Sequence, residues 1–225
     1  MDFSFQPHIH HILIQNQLVI LDEKSDSYTI FSETQTKILI ERNRFDDSYS
    51  AMLEKLTTLN MITHSNTPQI LITAKTNQEA IDDYSWRPIR NQISKITRPL
   101  PILRAGLDIL RLKAQLKRCG LGAVFNNMRL SKKHLTEKHE TSCLHALESY
   151  AYDIYLSSLA LPFKVKCLES SICLFKRAIK NGMPCDFFIG VQLYDFLSHA
   201  WIEVNGQVVA DDKNLPRKLS KILKI

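Results

Sequence analysis

The chain has 225 residues, of which 44% are hydrophobic and 23% charged, with 6 Gly and 8 Pro. This composition excludes a disordered or fibrous chain and leaves enough apolar side chain for one large domain or two smaller ones. The formal net charge of +6 suits an anionic partner. The lysines and arginines are spread along the chain, and we interpret the denser groups, Arg111–Arg118 and Lys213–Lys224, as solvated helix faces. We therefore expect no nucleic-acid partner.

The start of the chain and its cysteines predict a compartment. Met1-Asp2-Phe3 has no charged lead followed by an apolar core, so we expect no signal peptide. No apolar run approaches the roughly 18 residues that a membrane span needs. The five cysteines are an odd number without a metal-type spacing, which is typical of reduced thiols. The sequence predicts a cytoplasmic protein that needs no membrane.

The first third of the chain has the pattern of a small sheet followed by helices. Leu18–Phe31 contains two β-rich runs joined by a polar turn, and Ile12–Gln15 supplies another strand. Ser32 is placed to cap a short helix, and Asp47 opens a second one. Gln69–Thr73 predicts a further strand.

A change of composition then marks a boundary. The polar stretch Lys75–Asp83 places it near residue 82, which gives domains of residues 1–82 and 83–225. Leucines at helical spacing predict a long helix within Trp86–Leu130, and His145–Leu159 predicts another.

The last third has the pattern of a helix followed by strands. An apolar stripe predicts a helix that begins at Cys167 and ends at Asn181-Gly182. Asn205-Gly206 is a strong hairpin signal between two of the strands that follow. The predicted strands are Phe187–Val191, Ser198–Val204 and Gln207–Asp211. Helices followed by an antiparallel sheet predict an α+β fold.

Cys167 and His199 are candidates for nucleophilic chemistry. A helix N-terminus and a neighbouring imidazolium lower the pKa of a thiol, and a carboxylate on the other ring nitrogen orients the imidazole. A single Cys at a helix start is more often a buried small side chain, and a His on a strand is more often a satisfied polar group. The order Cys, His, Asp on helix, strand and strand favours catalysis. We interpret the other cysteines as structural: Cys119, Cys143, Cys173 and Cys185.

Which carboxylate lies opposite His199 depends on the register of the hairpin. A two-residue turn puts Asp212 opposite His199, whereas a three-residue loop with Gly206 left-handed in a bulge puts Asp211 there. Directly opposed residues share a face of the sheet, so either Asp could orient the ring. The residues alone leave both open.

Other motifs are weaker. His8, His10 and His11 have no second ligand group near them, so we interpret them as part of a solvated strand and expect no metal. The sequence contains neither G-x-x-x-x-G-K-[ST] nor G-x-G-x-x-G, so no nucleotide site is visible.

The C-terminal sixty residues carry a resemblance. KCLESSICLFKRAIKNGMPCDFFIGVQ and LSHAWIEVNGQVVADD resemble the leader peptidase of lasso-peptide biosynthesis, the B protein, a transglutaminase-like cysteine peptidase. The resemblance implies a transglutaminase- or papain-like α+β domain with the triad Cys167, His199 and Asp211. The family's spacing after the His favours Asp211 over Asp212, and it thereby predicts the bulged hairpin.

The segment LVILDEKSDSYTIF also carries a resemblance, to the hairpin of a leader-recognition element, a small winged-helix domain similar to PqqD. Small winged-helix domains that bind DNA share this pattern. The resemblance implies that a leader peptide adds as a strand to the sheet edge. The candidate peptide contacts are Leu18, Ile20, Tyr28 and Ile30.

Together these resemblances predict a cysteine endopeptidase that binds a precursor's leader and removes it. The freed amine would be closed into a ring by a macrolactam synthetase similar to asparagine synthetase. The chemistry requires no cofactor, although the family resemblance implies ATP. The alternatives are a transglutaminase-like acyltransferase or amidase that uses the same residues, and a non-catalytic winged-helix binding scaffold.

Overall fold

A computed structural model describes residues 2–43, 45–65, 67, 69–74, 81, 99–135 and 142–225. The chain divides into two compact units, residues 1–77 and residues 78–225. The predicted boundary at residue 82 and the first part of the helix predicted from residue 86 lie outside the described residues. The assignment of domains 1–82 and 83–225 therefore stays a prediction.

Unit 1 contains two antiparallel sheets and two helices. One sheet has the order β2-β3-β4, and the other pairs β1 with β5. The predicted hairpin, the strand before it and the two helices are confirmed. The elements are β1 (Asp2–Phe5), β2 (Ile9–Ile14), β3 (Gln17–Asp22), β4 (Ser27–Ile30), α1 (Glu33–Glu41), α2 (Asp47–Thr58) and β5 (Ile62–Ser65).

Local signals account for these elements. Gln15 and Asn16 both have positive φ, 46° and 62°, which is the type I′ geometry that joins β2 to β3 without splaying them. Ser32 caps α1 by accepting from the Gln35 N–H, and the Gln35 side chain accepts from the Ser32 N–H in return. Inside the unit, the Thr36 hydroxyl accepts from the backbone N–H of β3 at 3.0 Å, which ties α1 to the sheet.

Two predictions for unit 1 are wrong. Within residues 69–74, Thr73 forms an isolated parallel bridge to Leu13, and no strand is present there. The second error concerns the histidines, because His8, just before β2, and His11 within it are buried instead of solvated. The His11 side chain lies in the interior, where its ring is 4.5 Å from that of Phe5, whereas His10 is half-buried and contacts Glu23 at 2.9 Å.

Unit 2 combines helices with a four-stranded antiparallel sheet of order β8-β7-β6-β9. The predicted helix from Cys167 and the two strands after it are confirmed. The elements are α3 (Pro99–Lys133), α4 (Ser142–Ala160), α5 (Cys167–Lys180), β6 (Asp186–Gln192), β7 (Leu197–Val204), β8 (Gln207–Val208), α6 (Leu215–Lys218) and β9 (Ser220–Lys224).

Both faces of the sheet in unit 2 are covered. On one face, Phe187 of β6 contacts the ring of Phe125 from α3 and the ring of Phe175 from α5, with centroids 5.6 and 6.4 Å apart. On the other face a second apolar cluster is buried. Its members are Ile81, Phe188, Trp201, Val208, Leu215 and Leu219. Burial on both sides explains why β6 contains the continuous apolar run Phe187–Val191. The predicted α+β class is confirmed.

Three details of unit 2 differ from the sequence prediction. Gly120, with φ of 77°, interrupts α3 with a kink. The return strand was predicted to reach Asp211 but ends at Val208. The basic group Lys213–Lys224 is not one helix face, since it divides between α6 and β9. No helix among the described residues combines the length and the apolar character that crossing a membrane requires.

Candidate functional site

Cys167 is the first residue of α5, as predicted. Glu169, two residues later, accepts from the Lys166 N–H at 2.6 Å, which satisfies one of the donors that a helix start leaves open. The same carboxylate pairs with Lys113 of α3 at 3.1 Å. The start of α5 is therefore fixed both to its own first turn and to the neighbouring helix.

The thiol of Cys167 lies against the backbone of Ala200, the residue that follows His199 in β7. The Ala200 N–H is close enough to hydrogen-bond the sulfur. One turn along α5, the Ser171 hydroxyl donates to the Ala200 carbonyl at 2.8 Å. Because residues four apart share a helix face, Cys167 and Ser171 together cover both backbone polar groups of Ala200.

These backbone groups are available because β8 is short. Ladder pairing joins Val204 to Gln207 and Glu203 to Val208, and the Val209 N–H makes one further bond to the Ile202 carbonyl. Groups that point to the same edge of a strand recur every second residue, so the next set toward that edge belongs to Ala200. With no ladder partner from β8, these groups are satisfied by the start of α5.

His199 contacts Asp211, and this contact is buried. Nε2 of His199 lies 2.9 Å from Oδ2 of Asp211, and the two residues are 2% and 4% exposed. The other oxygen of Asp211 accepts from the Asp212 N–H at 2.8 Å. Asp212 itself pairs with Lys218 at 2.8 Å. Of the two acids that the residues left open, Asp211 is the one that contacts the imidazole of His199.

The prediction that a bulged hairpin places Asp211 opposite His199 is wrong. Asn205 and Gly206, with φ of 50° and 75°, form a two-residue turn without the bulge. That register alone would place Asp212 opposite His199. Ala210 instead adopts a left-handed backbone with φ of 56°, and the chain leaves the ladder there. This local irregularity brings Asp211 to the imidazole.

Burial determines the charge states at the site. It lowers the pKa of His199 and raises the pKa of Asp211. Burial likewise raises the pKa of the Cys167 thiol, although the N–H groups of Ala200 and Leu168 oppose it. The expected depression of the cysteine pKa is therefore wrong in direction. Burial thus opposes charging of both the Cys167 thiol and the His199 imidazole.

The side chain of Trp201 stacks beside His199, and the sequence patterns did not predict this neighbour. The Trp201 indole lies nearly parallel to the imidazole, at 11° with centroids 6.3 Å apart. Its Nε1 donates to Glu203 at 2.9 Å, and Lys221 donates to the same carboxylate at 2.7 Å. A signal was present, because His199, Trp201 and Glu203 alternate along β7 and must share one face.

Gly190 leaves space for the Trp201 side chain. It is paired with His199 across the β6–β7 ladder. A Cβ at this position would lie 2.7 Å from the Trp201 ring and 2.8 Å from Cβ of Leu219, closer than side chains tolerate. A glycine inside a strand is a sign of such close approach.

The other predicted residues have varied positions. Leu18 and Ile20 are completely buried in the core of unit 1, so their side chains present no exposed surface to a peptide, and their role in binding stays a prediction. Tyr28 and Ile30 lie on β4, and Ile30 is 39% exposed.

Among the remaining cysteines, Cys173 and Cys185 are buried, and burial raises the pKa of each to about 12. Cys119 is exposed, which does not fit a structural role, and the Cys143 side chain lies outside the described part.

Comparison with known proteins identifies a family for the C-terminal part of the chain. A family model described as "Transglutaminase-like superfamily" matches residues 109–224, just over half of the chain. The region includes all three candidate residues. No solved structure matches the chain.

One curated relative is the Microcin J25-processing protein McjB of Escherichia coli, which is 40% identical over 63 residues. The match covers 28% of this chain and 30% of the relative, so the chain spans less than a third of that protein's length. The resemblance to lasso-peptide B proteins is confirmed by these two matches. The chain belongs to the transglutaminase-like superfamily.

Proposed function

We propose that this protein is a cysteine peptidase that removes the leader from a lasso-peptide precursor. The observation that carries the proposal is the alignment of Cys167 with Ala200, next to a His199 that is hydrogen-bonded to the buried Asp211. A thiol, an imidazole and an orienting carboxylate are what nucleophilic acyl transfer requires. The relative McjB, a microcin J25-processing protein, supports the precursor as substrate.

The proposed chemistry starts from neutral groups. Since Nε2 of His199 contacts Asp211, Nδ1 is the ring nitrogen that accepts the proton from the Cys167 thiol. The thiolate attacks the carbonyl at the leader–core junction, and the imidazolium gives the proton to the departing amine. Water, deprotonated by the same imidazole, then hydrolyses the thioester. The backbone N–H of Cys167 at the helix start is the candidate donor to the oxyanion.

For recognition of the leader we propose the edge of β4. The sheet order β2-β3-β4 leaves β4 at the edge, without a ladder partner on its outer side among the described residues. A peptide that adds as a strand obtains affinity from backbone hydrogen bonds and selectivity from side-chain pockets. Tyr28 and Ile30 remain the candidate side-chain contacts. The PqqD-like identity of unit 1 belongs to this proposal and rests on the resemblance of the hairpin sequence.

The proposal extends to partners and cofactors. The amine released by cleavage would be the substrate of an asparagine-synthetase-like macrolactam synthetase. ATP is the cofactor that the resemblance implies, and its phosphate groups fit the cationic lining of a cavity that includes Arg104, Arg177 and Lys180. Peptide hydrolysis needs no group from ATP, so every proposed step uses residues of this chain.

The test is cleavage of a synthetic precursor followed by mass spectrometry. We expect two fragments from the unmodified protein and intact precursor with Cys167→Ala. Cys119→Ala is the matched control, because it removes an exposed thiol of α3 that is not at the site. Full cleavage by Cys167→Ala would refute the peptidase proposal. Cleavage in H₂¹⁸O should label the leader's new carboxylate, whereas transfer to an added amine in preference to water would favour the acyltransferase alternative.

A further inference from the structure

A stripe of exposed leucines runs along the first half of α3. Its members are between 42% and 62% exposed, and they are Leu100, Leu103, Leu107 and Leu110. The opposite face of the same helical segment is buried, through Ala105, Ile109 and Leu112. Single exposed leucines are ordinary on a protein surface, but a contiguous apolar patch marks an interaction site.

The leucines follow a heptad repeat. They are spaced at steps of three, four and three residues, which are the steps between positions a and d of a coiled coil. In the same register Ala114 is at a and Lys117 is at d, and Gly120 then kinks the helix. The apolar seam from Leu100 to Ala114 therefore lies before the kink and is about two heptads, or roughly 20 Å, long. Its shape and spacing match another helix.

Arginines follow one edge of this leucine stripe. Arg104, Arg111 and Arg118 recur every seven residues, at position e of the heptad, and all three are exposed. The Arg111 side chain is 77% exposed and lies 3.7 Å from Asp108, and an exposed pair of this kind contributes little. Charges at e select the partner of a coiled coil, because opposite charges across the seam attract and like charges repel.

This charge pattern argues against a second copy of the chain as the occupant. In an antiparallel pair, the arginines at e would face the same arginines of the other copy. In a parallel pair they would face position g, which is Gly106 or Lys113. Neither arrangement provides a negative charge. A bilayer also attracts leucines flanked by arginines, but it has no periodicity that a heptad would match.

We infer that the leucine stripe binds a helix of another protein, with an apolar seam of about two heptads flanked by Asp or Glu. The apolar seam provides the burial, and the acidic flank meets the arginines at e. The inference does not rest on the proposed peptidase function, because Cys167, His199 and Asp211 lie on other segments of unit 2. Either proposal can therefore fail while the other holds.

Fluorescence anisotropy on the full chain tests the surface, with two labelled peptides of three heptads as probes. Both have Leu at a and d, and one has Glu and the other Lys at every e and g. We expect the glutamate peptide alone to bind. Leu103→Gln combined with Leu107→Gln should weaken its binding about tenfold or more. Arg111→Glu combined with Arg118→Glu should reverse the preference, so that the lysine peptide binds.

The matched controls are Leu130→Gln and Lys133→Glu, which change exposed residues of α3 beyond the kink. Both should bind the glutamate peptide as the unmodified protein does. All the replaced side chains are exposed, so every variant should keep the parent's melting temperature. Equal binding of the two peptides, no binding of either, or an equal loss in the controls would overturn the inference.

Photo-cross-linking in the protein's native cells tests the occupant. Leu107 is replaced by p-benzoylphenylalanine, with the same replacement of Leu130 as the control, and cross-linked peptides are sequenced by mass spectrometry. We expect a peptide from an acidic amphipathic helix of another protein at position 107 only. Cross-links to residues 82–98 of the same chain, to a second copy or to lipid would overturn the inference. A yield no greater than that at position 130 would do the same.

Discussion

Replacing Asp211 with Ala tests the geometry of the site most directly. The change removes the acceptor 2.9 Å from Nε2 of His199, in a place where both residues are buried. A buried donor left without a partner costs about 1–3 kcal/mol. For a unit of this size, each kcal/mol lowers the melting temperature by roughly 2–4 °C, so a total fall of roughly 2–12 °C is expected.

The effect on activity should exceed the effect on stability. Without Asp211 the imidazole has no fixed tautomer or orientation, and loss of positioned acid–base catalysis reduces the rate by roughly 10²–10⁴-fold. Asp211→Asn keeps an oxygen that can accept from Nε2–H, and it should fall between Ala and the unmodified protein. The assay is precursor cleavage under single-turnover conditions, with thermal melting measured in parallel.

Asp212→Ala provides the control. Asp212 is adjacent in sequence but pairs with the partly exposed Lys218, and such ion pairs contribute about 0–1 kcal/mol. We expect nearly unchanged cleavage. The reasoning would be refuted if Asp212→Ala abolished cleavage while Asp211→Ala retained it, since the imidazole would then be oriented by the other acid.

Three further predictions concern the surroundings of the site. Gly190→Ala places a Cβ 2.7 Å from the Trp201 ring, so a loss of about 1–3 kcal/mol in denaturant unfolding and slower cleavage are expected; an unchanged unfolding midpoint would contradict the packing. Ser171→Ala leaves the buried carbonyl of Ala200 without its hydroxyl donor and should cost about 1–3 kcal/mol in the same measurement, whereas a neutral result would mean that the carbonyl finds another donor. Because burial raises the pKa of Cys167, its alkylation by iodoacetamide in the substrate-free protein should keep accelerating above pH 9, and a plateau below pH 7 would show a thiolate that this reasoning excludes.

Periodicity was sufficient to predict α5 and β7. An apolar stripe at steps of three and four placed Cys167 at a helix start, and alternation placed His199 on a strand before Asn205-Gly206. Both signals are local, so they appear in the sequence. The family resemblance then favoured Asp211, the acid that contacts His199 in the structure, whereas the local signals had not distinguished it from Asp212.

What the sequence did not reveal depends on contacts between distant segments. The left-handed backbone of Ala210 has no propensity signal, because alanine rarely adopts φ above zero. The strand Ser220–Lys224 was not predicted, because its lysines gave the segment the pattern of a solvated helix face. The rise in the Cys167 pKa reflects burial by the rest of unit 2, which no motif records. Gln69–Thr73 has the composition of a strand. In the structure, however, only Thr73 forms a bridge, to Leu13, and no ladder extends from it.

The contact between the Ala200 amide and the sulfur of Cys167 also makes that amide a spectroscopic reporter. The Ala200 amide proton lies against the atom that would be acylated, while the carbonyl of the same residue, in the next peptide group, is anchored separately by Ser171. In an ¹H–¹⁵N correlation spectrum, deprotonation, alkylation or acylation of the thiol should move the Ala200 resonance while amides elsewhere in β7 stay in place. The state of the nucleophile could thus be followed through a backbone signal, without any label on the cysteine.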